Sequence, residues 1–274
     1  MVKEKQKFEI RIFSYLPNPR IWKTTITSRL SGVNLDIIGT SPESIKDWLW
    51  DFNARKLTKK DIAEFHNNTT QGKMGFAVRL YKTNKFLNTQ PFGTVPAAFS
   101  PDGEIGIFES NSIMRLAARL GENNNNIYGK NPYESSRIDS FLDASLIFSR
   151  ASQKYLLSIN QGQISSSIKK EAKDAFITYM SGIESALNSN KSSYIVGEQL
   201  TLADICFFCE YALFSREQIT PKSYEGNKWN SITRSIKKNN FHKSLSHYKQ
   251  LSGRPEFKID SSEYLKKIEQ KIRN

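Results

Sequence analysis

The sequence predicts an α/β unit followed by an all-helical one, and three observations carry that prediction. A β-α-β pattern opens the chain: Phe8 to Ser14 alternates as a strand, Pro19 to Leu30 has helical spacing, and Gly32-Val33 leads into a second strand through Ile38. A second block, from Pro96 to Leu120, reads as strand, tight turn, strand and helix. From Pro132 onward strand signals are scarce, while apolar residues recur at helical spacing through Ile138, Phe141, Leu142, Ser145, Leu146 and Phe148, and again from Ile168 to Leu187.

Each element has a local cause. Pro96 lacks a backbone donor, so it begins a strand rather than sitting within one, and Ala97 to Ser100 runs into the turn signal Pro101-Asp102-Gly103. A second strand follows at Ile105 to Phe108. Glu109-Ser110-Asn111-Ser112 then supplies N-cap chemistry for a helix from Ile113 to Leu120, which Gly121 can close. The unpaired N–H groups at that helix start form a ready site for a carboxylate. Four strands and their helices make a thioredoxin-like domain. The polar run Gly121 to Asn126 ends that domain, which places the boundary near Asn125 and divides the chain into domains 1–125 and 126–274. In the second domain Asn131-Pro132-Tyr133-Glu134 opens a long helix, and Thr201 to Asp204 is a capping box for a core helix from Leu202 to Phe214. Tyr264 to Ile272 reads as a closing amphipathic helix.

One segment is long for this plan. Sixty-four residues separate Gly32 from Pro96, and the family likeness given below implies that they hold an insertion between the second strand and second helix, placed at about residues 40–76. It contains Trp48-Leu49-Trp50-Asp51-Phe52, a short basic helix from Leu57 to His66 opened by Thr58, and a loop at Gln71-Gly72-Lys73-Met74-Gly75. Three large aromatics in five residues argue against disorder. Two readings stand for it: a lid or wall of a substrate pocket, or a subunit-contact element packed against the sheet edge.

Composition narrows the function class. At 274 residues with 38% hydrophobic content the chain can bury cores in two domains. No apolar run approaches membrane-spanning length and Met1 to Lys7 lacks the apolar stretch of a signal peptide, so a cytoplasmic protein without a membrane partner is expected. The only cysteines, Cys206 and Cys209, fall inside a core helix rather than at a helix start after the first strand, so they read as small apolar side chains and not a redox pair. His66, His242 and His247 have no ligand spacing, and no metal is expected. The net charge of +13 is concentrated: from Pro221 to Asn274 there are 13 Lys and Arg against five Asp and Glu. Such a surface would steer an anionic ligand or contact nucleic acid, but no base-reading motif accompanies it, which argues against a nucleic-acid reader.

Two stretches carry a family likeness. Phe92-Gly93-Thr94-Val95-Pro96 with Phe108-Glu109-Ser110-Asn111, and later Val196 to Asp204, together resemble a glutathione transferase. Within that superfamily the chain is similar to the transferase-like domain of the elongation factor 1B gamma subunit at Tyr15, Asn18, Arg20, Lys23, Ser31-Gly32, Phe108 to Asn111 and Thr201 to Asp204. The matches bracket roughly the first 215 residues, and no room is expected for the separate C-terminal domain of that subunit. The resemblance implies a thioredoxin-like domain followed by an all-helical transferase domain, a homodimer, and glutathione as co-substrate. It implies a cis proline at Pro96, with the backbone of Val95 pairing to the cysteinyl backbone of glutathione and with Glu109 and Ser110 holding its γ-glutamyl end.

Transferase chemistry needs the glutathione thiol as thiolate, hence a donor or positive field near the first helix. The loop Ser14-Tyr15-Leu16-Pro17-Asn18-Pro19-Arg20 offers three donors: the Ser14 and Tyr15 hydroxyls and the Asn18 amide. Asn18 is favoured because it lies five residues before Lys23 and fourteen before Gly32, near where the family's thiol-facing group falls. Arg20 can add positive field. The expected activity is glutathione conjugation, or glutathione-dependent lyase or peroxidase chemistry, on a small hydrophobic electrophile. The alternative is a non-catalytic scaffold of the elongation-factor gamma type that binds protein partners.

Overall fold

The computed structural model describes residues 8–65, 69–71, 79–121, 126–221, 229–236 and 238–273. The chain divides into two compact units, Met1–Asn123 and Asn124–Asn274. The expected boundary near Asn125 lies outside the described residues, as do His66, the loop from Gly72 to Gly75 and the terminus before Phe8.

In the first unit β1 (Ile10–Tyr15) is followed by α1 (Pro19–Ser31) and β2 (Leu35–Thr40), with β1 and β2 parallel in the register Ile10 to Leu35 through Tyr15 to Thr40. Pro19 at the first helical turn and Gly32 at φ 78° bound α1, and the Gly32 N–H donates to the Ser28 carbonyl. β7 (Ala97–Phe99) lies antiparallel to β1, and β8 (Gly106–Ile107) antiparallel to β7, giving the order β2-β1-β7-β8. α4 (Ser110–Leu120) completes the thioredoxin-like pattern. Strand alternation sends side chains to two faces. On one, Ile10, Ile12 and Ala98 pack with Ile21, Val33, Ile113 and Ala117.

The opposite face is covered by the insertion. Here β3 (Trp48–Trp50), β4 (Arg55–Lys56), α2 (Lys59–Glu64), β5 (Thr69–Gln71), β6 (Arg79–Lys82) and α3 (Asn84–Thr89) include a second sheet ordered β4-β3-β6-β5. Trp50, Ile45, Ala54, Leu80 and Phe86 form one buried cluster with Phe13, Ala97 and Phe99 of the first sheet. The Trp50 ring stands edge-on to Phe13 and Phe86, at 5.6 and 6.0 Å between centroids, and its indole N–H donates to the Ile45 carbonyl. Neither sequence reading of the insertion describes this. The aromatics form the core over a sheet face, because a four-stranded sheet with apolar side chains on both faces needs a second cover. The added sheet also runs past Phe76 to Lys82, since β6 supplies the parallel partner of β3.

Within the insertion, Thr58 and Asp61 form a capping box at the start of α2. The Arg55 guanidinium grips the Asp61 carboxylate through two bonds of 2.6 and 2.8 Å and holds its carboxyl well below the usual range, against the cost of burial.

Among the described residues the second unit contains helices and no strand. α5 (Pro132–Asn160) pairs with α6 (Ser166–Ser189), and α7 (Leu202–Phe214) is buried nearly all round, as a helix apolar on every face must be. Cys206 and Cys209 are both buried within it and form no disulfide. Asp204 accepts from the Thr201 N–H and hydroxyl and from the Ile195 N–H, and bonds at 2.8 Å to His247 Nε2 on α9 (His242–Gly253). The capping box thus joins a loop and two helices, a role for His247 that its sequence position did not reveal. Glu217 similarly accepts from the N–H groups of Ile232 and Thr233 at the start of the short α8 (Ile232–Ser235). α10 (Pro255–Arg273) closes the unit with Phe257, Ser261 and Ile268 buried. No helix among the described residues is long and apolar enough to cross a membrane.

Trp50→Ala removes the centre of the cluster between the two sheets and is expected to cost about 3–5 kcal/mol in urea unfolding. The Asp61 pair contributes above the unfolded carboxylate pKa, near 3.9, and the contribution is lost as pH falls towards the depressed folded value. Asp61→Asn should therefore lower stability by about 1–2 kcal/mol at pH 7, and the gap to the parent should narrow in melts below about pH 3.5.

Candidate functional site

The turn between β1 and α1 places the three expected thiol donors. Asn18 is the N-cap of α1, with extended backbone (φ −137°, ψ 109°), and its Oδ1 accepts from the Arg20 N–H at 3.0 Å. Its Nδ2 donates to Ser14 Oγ at 3.3 Å, and the two side chains are 1% and 0% exposed. Both side chains expected to face a ligand thiol are thus engaged with each other and with the helix start. The orphan N–H groups of a buried helix start take the amide oxygen, and Ser14 takes the amide nitrogen. Tyr15 is only half-buried, where it packs beside the Phe13 and Trp50 cluster. Arg20 is half-buried.

The second part of the site is the loop before β7. The Val95-Pro96 bond is cis, as is Leu16-Pro17. Val95 is half-buried against the cluster between the sheets, and Pro96 is buried. Two residues earlier, Gly93 has a φ of +56°, a conformation glycine adopts without steric cost. Lys82 Nζ donates to the Gly93 carbonyl at 2.8 Å.

The third part is the start of α4. Glu109 is its N-cap residue and is exposed, with φ 66° and ψ 121°, and its side chain makes no capping bond. The expected side-chain cap is therefore absent, and the Glu109 carbonyl instead accepts from the N–H groups of Ser112 and Ile113. A bulky residue at positive φ is a strained one, and such strain gathers at ligand sites. Ser110 and Asn111 are buried, and both accept from Lys23 Nζ, at 3.3 and 2.7 Å. Lys23 is fully buried on α1, so one ammonium ties the helix after β1 to the helix after β8. Its signal in the sequence is a lysine four residues before the inward Thr27 and three before Ile26. Among the described residues no cluster of metal-ligating side chains occurs.

Comparison with known proteins agrees with this architecture. Residues 153–258 match the glutathione S-transferase C-terminal domain family. The chain also superposes on a glutathione S-transferase of Drosophila melanogaster, isozyme E7, with a TM-score of 0.64 and 15% identity, covering 97% of this chain and 96% of that one. The chain has the glutathione S-transferase fold. A bacterial superfamily member, the glutathione S-transferase of Methylobacillus flagellatus with glutathione bound, has a TM-score of 0.60 at 13% identity over 92% of this chain and 98% of that one. At these identities the likeness establishes the fold. In sequence the chain resembles the probable elongation factor 1-gamma 1 of Arabidopsis thaliana, 32% identical over 143 residues, which is 52% of this chain and 33% of that protein. The match thus spans about a third of the length of that relative.

If Asn18 serves the helix start, Asn18→Ala should cost about 1 kcal/mol of stability, and Asn18→Asp should restore most of it in thermal melts.

Proposed function

We propose that the first unit binds glutathione along the Val95-Pro96 loop and the start of α4, and that the chain acts chiefly as a transferase-like scaffold of the elongation factor 1-gamma kind. The observation that carries this reading is the burial of Ser14 and Asn18, whose side chains bond to each other and to the helix start and are withdrawn from the surface a ligand would meet. The uncapped start of α4, with Glu109 exposed at positive φ, suits the γ-glutamyl end of the tripeptide. The backbone of Val95 suits its cysteinyl part. Both are roles carried over from the resemblance. The name of the Arabidopsis thaliana relative supports a partner in translation elongation, bound as protein rather than as substrate.

A second reading keeps catalysis and rests on Tyr15, the one expected donor that is not fully buried. On that reading its hydroxyl supports the thiolate during conjugation to a small hydrophobic electrophile.

Calorimetric titration with reduced glutathione should give a micromolar to millimolar dissociation constant that weakens about tenfold in Glu109→Ala. No heat at millimolar ligand would overturn glutathione binding. Conjugation to a chlorodinitrobenzene should stay close to the uncatalysed rate. A clear rate abolished by Tyr15→Phe and retained in Asn18→Ala would replace the scaffold with the enzyme.

A further inference from the structure

Lys82 is the last residue of β6, and the period of that strand turns it inward beside Leu80. Its side chain is 6% exposed, its Nζ stands 4.9 Å above the Trp50 ring, and burial lowers its pKa. Among the described residues no carboxylate pairs with it. The full hydrogen bond it makes is the 2.8 Å bond to the Gly93 carbonyl. Gly93 in turn closes a tight turn by donating to the Gln90 carbonyl, and a Cβ added there would lie 3.0 Å from the Lys82 nitrogen.

A buried ammonium with no counter-ion is costly, and an apolar chain of similar length would fill the same space without that cost. Beside its contact with the Trp50 ring, the contribution specific to Lys82 is therefore its grip on the carbonyl two residues before Val95. We propose that Lys82, supplied by the inserted sheet, is a positioning residue that holds the Gly93 to Pro96 backbone in the conformation that receives the cysteinyl part of glutathione. The insertion is on this account a component of the ligand site as well as a cover for the sheet. The inference rests on the reading of the Val95-Pro96 loop as a glutathione cradle.

The test uses the full chain with Lys82→Met, and Lys82→Leu as a second donor-free variant should the first not fold. Three quantities are measured: glutathione affinity by calorimetry, melting temperature, and amide exchange of residues 93–95. The expected result is an affinity about tenfold weaker, faster exchange at 93–95, and a melting temperature equal to or above that of the parent. Affinity loss accompanied by a lower melting temperature would mark Lys82 as a structural prop and overturn the proposal. Unchanged affinity with unchanged exchange would also overturn it. If the parent binds no glutathione, the cradle reading fails on its own, and exchange at 93–95 still decides whether Lys82 holds this backbone: faster exchange supports the hold and unchanged exchange ends it.

Discussion

The first unit depends on covering both faces of one small sheet. β1 and β7 carry apolar side chains on each side, so neither face can meet water without exposing Ile10 and Ile12 on one or Phe13 and Phe99 on the other. Helices α1 and α4 cover the first face with aliphatic side chains. The second is covered by an element of different architecture, a four-stranded sheet with its flanking segments, which brings Trp48, Trp50, Phe52 and Phe86 together with Ile45, Ala54 and Leu80. Large rings suit this role because a few of them fill the gap between two twisted sheets and still meet edge to face.

That solution brings two buried lysines to the candidate site from opposite sides of the sheet. Lys23 reaches the start of α4 from α1, and Lys82 reaches the loop before β7 from the inserted sheet. Each bonds to backbone or short polar side chains, Lys23 to Ser110 and Asn111 and Lys82 to the Gly93 carbonyl. The first turn of α1 follows the same economy of donors and acceptors, since Asn18 and Ser14 satisfy one another and the helix start. Polar groups in this region therefore hold one another and the helix starts in place.

The second unit relies on a comparable point of convergence. Asp204 accepts from two backbone N–H groups and a hydroxyl, and bonds to an imidazole, all at one end of the most buried helix. A carboxylate at a helix start satisfies donors and complements the helix dipole together. This joins the loop at Ile195, α7 and α9.

Local pattern determined much of the chain. The β-α-β opening, the turn at Pro101 to Gly103, the capping boxes at Thr58 and Thr201 and the long helices after Pro132 arise from periodicity and cap chemistry, which act over a few residues. The strained start of α4 was legible only as a cluster of cap residues; that Glu109 takes positive φ with its side chain free depends on β8 delivering the chain at a fixed angle. That Asn18 caps α1 and bonds to Ser14 had the same limit, because which way an amide faces is not written in local sequence. Trp48, Trp50 and Phe52 announced burial without naming what they bury against. Lys23 and Lys82 were ordinary lysines until packing removed them from water. In each case the deciding quantity was the neighbour across the fold, and hydrophobic or hydrogen-bonding partners separated by tens of residues leave no trace in local spacing.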